Sequence, residues 1–189
     1  SQGVKVKFDR ALTSRLQLAN ETSWVREDVS GITESSAAAE RRGDQTHTDF
    51  ELSAWVHPKL QLIGHIGYNR KHAKASYYSY RGLELGGSQL WLLPRAMYLL
   101  TSVDYAIDFY DEPDTALIAR NRHDKELVAS ATYGVPLATL LPARWQPSGW
   151  CDQLSLAFTV EQTRTESNLI NYTYANTKVN SMLTKRVEF

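Results

Sequence analysis

The chain has 189 residues, enough for one domain, with 21 Lys+Arg against 21 Asp+Glu. That balance leaves no basic footprint and argues against a nucleic-acid partner. Hydrophobic residues make up 42%, but no run approaches the ~20 apolar residues a membrane helix needs; alternating strands escape that test, so a membrane stays open.

Cys151 is the only cysteine, so neither an internal disulfide nor a cysteine-rich zinc site is available. Ser1-Gln2-Gly3 has no basic start and no apolar core of a leader, so an exported protein is expected here in mature or truncated form.

In chain order, Val4, Val6 and Phe8 alternate first. Residues 1–14 read as a lead-in or as a preceding strand, and 15–189 as one β-barrel domain. The period is two throughout, not 3.6. Phe50, Leu52, Ala54 and Val56 alternate with Asp49, Glu51, Ser53 and His57. Val103, Tyr105, Ile107 and Phe109 alternate with Asp104, Ala106 and Asp108. Leu127, Ala129, Ala131, Tyr133 and Val135 follow the same rule, as do Leu154, Leu156, Phe158 and Val160. Strands keep such faces apart, whereas a helix scatters them.

The pattern predicts about eight strands, near 15–27, 47–57, 60–71, 81–93, 97–110, 124–139, 152–165 and 177–189. Several reach ten residues, longer than the usual ~5–6 and suited to tilted membrane strands of ~9–11. Pro58-Lys59 and Pro94-Arg95 mark tight turns, while 29–46, 71–80, 111–123 and 166–176 are longer polar links. Short turns on one rim and long loops on the other fit an outer-membrane barrel, with 142–150 as the exception. Gly31 to Gly43 reads as a surface loop with room for a short helix. A strand over 4–13 makes the count odd, whereas bacterial single-chain barrels are even, which favours a barrel begun upstream.

The fold class expected is therefore an all-β, antiparallel transmembrane β-barrel, part of a larger one if truncated. Its polar face is expected to line the interior with Asp49, Glu51, His65, Glu84, Asp104, Asp108, Glu126, Glu161, Lys178 and Arg186, and also Glu21. Aromatic residues gather at the strand ends. Trp55, Trp91, Tyr98, Trp145 and Trp150 lie by the short turns. Trp24, Tyr68, Tyr77, Tyr78, Tyr80, Phe109, Tyr110, Tyr172 and Tyr174 lie at the other ends. Two girdles at two membrane interfaces are the expected reading, with Trp24, Trp55, Trp91, Tyr98, Tyr110, Tyr172 and Tyr174 as their anchors.

The chain ends on alternating residues through Leu183 and Val187 to a terminal Phe189. This resembles the C-terminal strand of bacterial outer-membrane proteins, with Lys185 and Ser181 departing from its apolar positions. The resemblance implies an outer-membrane location, recognition by the barrel-assembly machinery through Phe189, Val187 and Leu183, and contact with membrane lipid and lipopolysaccharide. Residues 122–126 (Arg-His-Asp-Lys-Glu) and the loop 165–174, with Ser167-Asn168 and Tyr172-Thr173-Tyr174, resemble the closing hairpin of barrels that follow tetratricopeptide-repeat domains. Surface lipoprotein assembly modifiers and polysaccharide-export porins are of that type. That likeness implies a transport or secretion pore of more than eight strands, with a periplasmic domain upstream.

Two readings of the interior carboxylates stand side by side. In a wide barrel they make an acidic lumen for cations or polar solutes. In a closed eight-stranded barrel they pair with Lys178, Arg186, Arg15 and His65 as a packed filling. A small closed barrel would then act through its loops, in a structural, adhesive or receptor role. A lipid hydrolase is a distant third. His123-Asp124 with Ser167, or His65 with Ser102 or Ser88, supply the residue types without a recognisable spacing. No enzyme activity, cofactor or metal is expected, since His47, His57, His65 and His72 do not converge. Tyr77 to Tyr80 reads as girdle rather than ligand site. Gly82, Gly86 and Gly87 read as a bend or bulge within a strand. Arg26, Arg70, Lys71, Arg81 and Arg122 suit lipopolysaccharide phosphates or snorkelling equally.

Overall fold

In a computed structural model that describes residues 2–27, 40–113, 120–141 and 154–185, nine strands form one antiparallel sheet in sequence order. They are β1 (Gln2–Ala11), β2 (Leu16–Glu27), β3 (Gly43–His57), β4 (Leu60–Ala73), β5 (Tyr80–Leu92), β6 (Tyr98–Tyr110), β7 (His123–Pro136), β8 (Leu154–Ser167) and β9 (Tyr174–Lys185). Each strand pairs only with its chain neighbours, so the topology is an unbroken meander. The sheet is not closed: β1 and β9 are free edges.

The strand count differs from the expected eight because Val4, Val6 and Phe8 do extend the sheet. Gln2 to Ala11 pairs residue for residue with Gln17 to Arg26. The last strand starts earlier than expected, at Tyr174. Arg186, Val187 and Phe189, and also Trp145 and Trp150, lie outside the described residues, as does most of the loop between Gly31 and Gly43. No bulge falls at Gly82, Gly86 and Gly87, since β5 keeps an unbroken register with both neighbours. The register shift falls instead between Trp55 and His57.

Residues directly across a ladder share a face, so the registers sort every strand into two sides. One side carries Phe8, Phe50, Ile66, Leu85, Tyr105 and Leu127 in a single row across the sheet. The other carries Lys7, Glu21, Asp49, Gly67, Glu84, Ala106, Glu126, Thr165 and Tyr174. The sheet curls toward the polar side. Adjacent strands lie ~4.8 Å apart, so mid-strand side chains two strands apart meet most readily across a concave face. His65 of β4 reaches Asp104 of β6 at 3.6 Å, and Tyr174 of β9 reaches Glu126 of β7 at 3.3 Å, both on the polar side.

No dry apolar centre exists among the described residues. Val135, Leu154 and Ala157 are the buried apolar side chains, whereas Leu52, Leu85 and Val103 are 46%, 61% and 54% exposed. This is the reverse of a soluble sandwich, whose apolar face is the one that packs.

The apolar belt also runs obliquely to the ladders. On β1 it occupies Val4, Val6 and Phe8; on β8 it occupies Leu156, Phe158 and Val160. The register row that starts at Phe8 ends on β8 at Arg164, well past the apolar stretch of that strand. A belt that steps along successive strands is level only if the strands tilt. Tilt and stagger of this kind are what a closing barrel needs.

Candidate functional site

The polar face gathers most of the expected interior residues. One register row holds Asp49, Glu84 and Glu126, with Gly67 and Ala106 between them. The next row holds Glu51, His65 and Asp104, with Gly86 between the last two. Asp108 stands directly across from Asp124, and Glu161 directly across from Lys178, whose ammonium is 3.9 Å away. Asp49, Glu51, His65, Glu84, Asp104, Asp108, Glu126, Glu161 and Lys178 therefore share one side.

Small residues make this crowding feasible. A side chain at Gly86 would strike both His65 and Asp104, and one at Gly82 would strike the Asp108 carboxylate. A Cβ at Gly67 would lie 3.2 Å from Asp49 Oδ1 and 3.4 Å from the Glu84 Cβ. Gly82 and Gly86 of β5 are thus spacers that let polar side chains lean across the strand. At the short-turn end, the Tyr98 ring lies flat over Gly134 in the same way. Gly134→Val should displace that ring and destabilise the fold by about 1–3 kcal/mol, the usual cost of forcing extra carbons into a filled site. A urea titration followed by tryptophan fluorescence measures it.

The aromatic residues divide differently from expectation. Trp24 and Trp91 stand on the apolar face and are exposed there. Trp55, Tyr98, Tyr110 and Tyr174 fall by register on the polar face, and Tyr172 packs against Arg122 beside them. Nearness to a strand end is not enough to place a ring at an interface. Parity along the strand decides which side it occupies, and the four in strands have the parity of the carboxylates. The apolar face draws its other rings from Phe8, Phe50, Tyr68, Tyr105, Phe109, Tyr133 and Phe158. Leu183, the described residue of the expected assembly signal, is on the apolar face and exposed.

At the end of the sheet that carries the polar links, the polar face closes into a basic and aromatic rim. Arg122 lies between two rings, 4.2 Å from the Tyr110 centroid and 3.6 Å from that of Tyr172. Its Nε and Nη2 both donate to Asp124 Oδ2, at 2.8 and 2.5 Å. Burial works against the Arg122 charge, but the Asp124 hydrogen bond and the neighbouring tyrosines outweigh it and hold the pKa above the ordinary value. Tyr80 tilts against Tyr110 at 5.3 Å, and its hydroxyl accepts a hydrogen bond from Asn69. Arg41 lies 4.9 Å over Tyr78, and Lys71 binds Glu27 at 3.1 Å. Arg41, Lys71 and Arg122 with these tyrosines wall an open cavity of about 330 Å³. Just inside it, Asp108, Asp124 and Glu126 border a second cavity of about 210 Å³. A third, of about 220 Å³, lies among His65, Glu84, Asp104 and Glu126.

The sequence pattern does not announce this rim, because Tyr78, Tyr80, Lys71 and Arg122 read in it as surface or interfacial groups. The available clue was parity again: Lys71, Tyr80 and Tyr110 are successive neighbours across β4 to β6, and the Arg122 carbonyl, just before β7, accepts from the Tyr110 N–H.

The His123 constellation is split between the two faces of the sheet. Adjacent positions on a strand point to opposite sides. His123 stacks on Phe109 at the apolar side, while Asp124 and Ser167 face the polar side. His65 faces Asp104, and Ser102 bonds Ser130 at 2.9 Å. No group of His, Cys, Asp and Glu is arranged to hold a metal ion among the described residues.

No protein-family model matches this chain, and no curated protein or solved structure does either.

Proposed function

We propose that the chain forms a large part of the wall of a bacterial outer-membrane β-barrel, whose polar inner face lines a transport or export path for polar solutes or secreted polymer. The observation that carries this reading is the inverted sheet. Leu, Val, Ile and Phe side chains stand exposed on one side, while carboxylates crowd the concave side. Water penalises such an arrangement, because a contiguous apolar surface of this extent belongs against lipid or a partner. Hydrocarbon rewards it. Strands of 10 to 15 residues are long enough to cross at a tilt.

The free edges favour a barrel larger than this sheet. Strands alternate in direction, so β1 and β9 run the same way. Joining them directly would make a parallel seam. An all-antiparallel closure takes an odd number of added strands, which brings the total to the even count such barrels have. A small closed barrel acting only through its loops would need the β1–β9 seam, so we set that reading second. Membrane lipid, lipopolysaccharide and the barrel-assembly machinery are the partners this reading calls for.

Planar-bilayer recording tests it. Purified protein reconstituted in the bilayer should give discrete, long-lived conductance steps. Protein that inserts, by its resistance to proteolysis in vesicles, yet never conducts would rule out the path and leave the closed, loop-bearing barrel.

A further inference from the structure

We propose that the cavity bordered by Asp108, Asp124 and Glu126 is a binding site for a primary ammonium group on a small polar solute. The inference rests on the polar face being a solute path, and it names a class of solute that the path recognises.

Asp124 is only 8% exposed, and it lines this cavity of about 210 Å³. Its Oδ2 receives both hydrogen bonds from Arg122, while its Oδ1 is buried and has no hydrogen-bond partner. A buried carboxylate oxygen without a donor destabilises the fold, so such an atom marks a place where a donor belongs. Asp108 stands directly across from Asp124 in the β6–β7 register, and like charges in that relation repel. Glu126 is two residues along the same strand and on the same side. Its Oε2 accepts from the Thr165 and Tyr174 hydroxyls.

Three carboxylates thus border the cavity together with one guanidinium. Arg122 is already spent on Asp124 Oδ2 and on the rings of Tyr110 and Tyr172. Lys71, in the cavity above, is held by Glu27. The balance is negative and short of donors. A primary ammonium offers three N–H donors from one compact charge, enough to reach Asp124 Oδ1 and the carboxylates on either side. The tyrosine walls add attraction for a cation and apolar contact for the carbon beside it. A quaternary ammonium has no N–H for Asp124 Oδ1, and a neutral hydroxyl brings no charge to relieve the repulsion.

Calorimetric titration of the folded protein in detergent micelles, at fixed ionic strength, tests the site. The probes are ethylammonium, tetramethylammonium and sodium chlorides. Ethylammonium should bind saturably, with tetramethylammonium and sodium at least tenfold weaker. Asp124→Asn should lose at least tenfold in ethylammonium affinity, while Lys59→Gln, in a turn at the opposite end, should lose none. If Asp124→Asn does not fold, Asp108→Asn serves instead, because it keeps the Arg122–Asp124 pair; the same tenfold loss is expected. No saturable binding by the wild type, equal binding of all three cations, or full affinity in a folded carboxylate variant would each overturn the assignment. Conductance separates the two readings: channels without ethylammonium binding end the site and leave the path standing, whereas absent channels end the path.

Discussion

Leu85→Arg is expected to weaken folding into phospholipid vesicles by about 2–4 kcal/mol, the cost of a cation at the bilayer midplane on the lipid face of a barrel. Leu85 lies in the middle of β5, is 61% exposed and touches no apolar core. In water that position would tolerate arginine, since surface changes away from special features stay within about ±0.5 kcal/mol. The same substitution therefore has two very different outcomes, and the surroundings of the apolar face decide between them. Val103→Arg, on the neighbouring strand, is expected to behave alike. Thr163→Arg is the matched control: it lies in the register row of His65 and Asp104, where nearby carboxylates welcome a cation. Its cost should stay below about 1 kcal/mol, since inner-face changes alter selectivity more than folding. Urea titrations of folding into vesicles, read by the mobility of folded protein on gels, give all three values. A cost under about 0.5 kcal/mol for both Leu85→Arg and Val103→Arg would sink the lipid-facing orientation.

The fold was legible because its code is binary. Phe50, Leu52 and Val56 against Glu51, Ser53 and Trp55 define β3 with no knowledge of its neighbours. Six of the tight or polar links likewise announce themselves through Pro58, Pro94 and the charged stretches between strands. Two things were not legible. What the edges of β1 and β9 meet is one, since neither strand's own pattern encodes it. The grouping of side chains across strands depends on register, and register is set by turn geometry as much as by pattern. Hence the carboxylates were recognised as one face, yet the meeting of Lys71, Tyr80, Tyr110 and Arg122 was not. The aromatic assignments show the same limit from the other side. Tyr110 and Phe109 are adjacent in sequence and both close strand β6, but one faces Arg122 and the other faces outward. Position along the strand suggested a girdle for both, and parity divides them.

Electrostatics should dominate what passes along the polar face. Neutralising Glu84, Asp104 and Glu126 together, as Gln, Asn and Gln, is expected to lower the cation-to-anion permeability ratio by about tenfold. That is the low end of the enrichment produced by a cleft of one sign with low-dielectric walls. These three border one cavity, with His65 beside Asp104 and no lysine or arginine among the lining groups. Glu161 makes the contrasting case. It faces Lys178 directly across the β8–β9 ladder, away from that cavity, and replacing it removes one charge rather than three. Glu161→Gln alone should shift the ratio far less than the triple change. Reversal potentials under a salt gradient measure both. Each ion interacts with the cavity charges over distances comparable to the ~10 Å screening length at 0.1 M salt, so the triple effect should shrink as salt rises toward 1 M. Equal ratios for wild type and triple variant at low salt would mean that the carboxylates are a neutralised filling and that ions, if they pass, travel elsewhere.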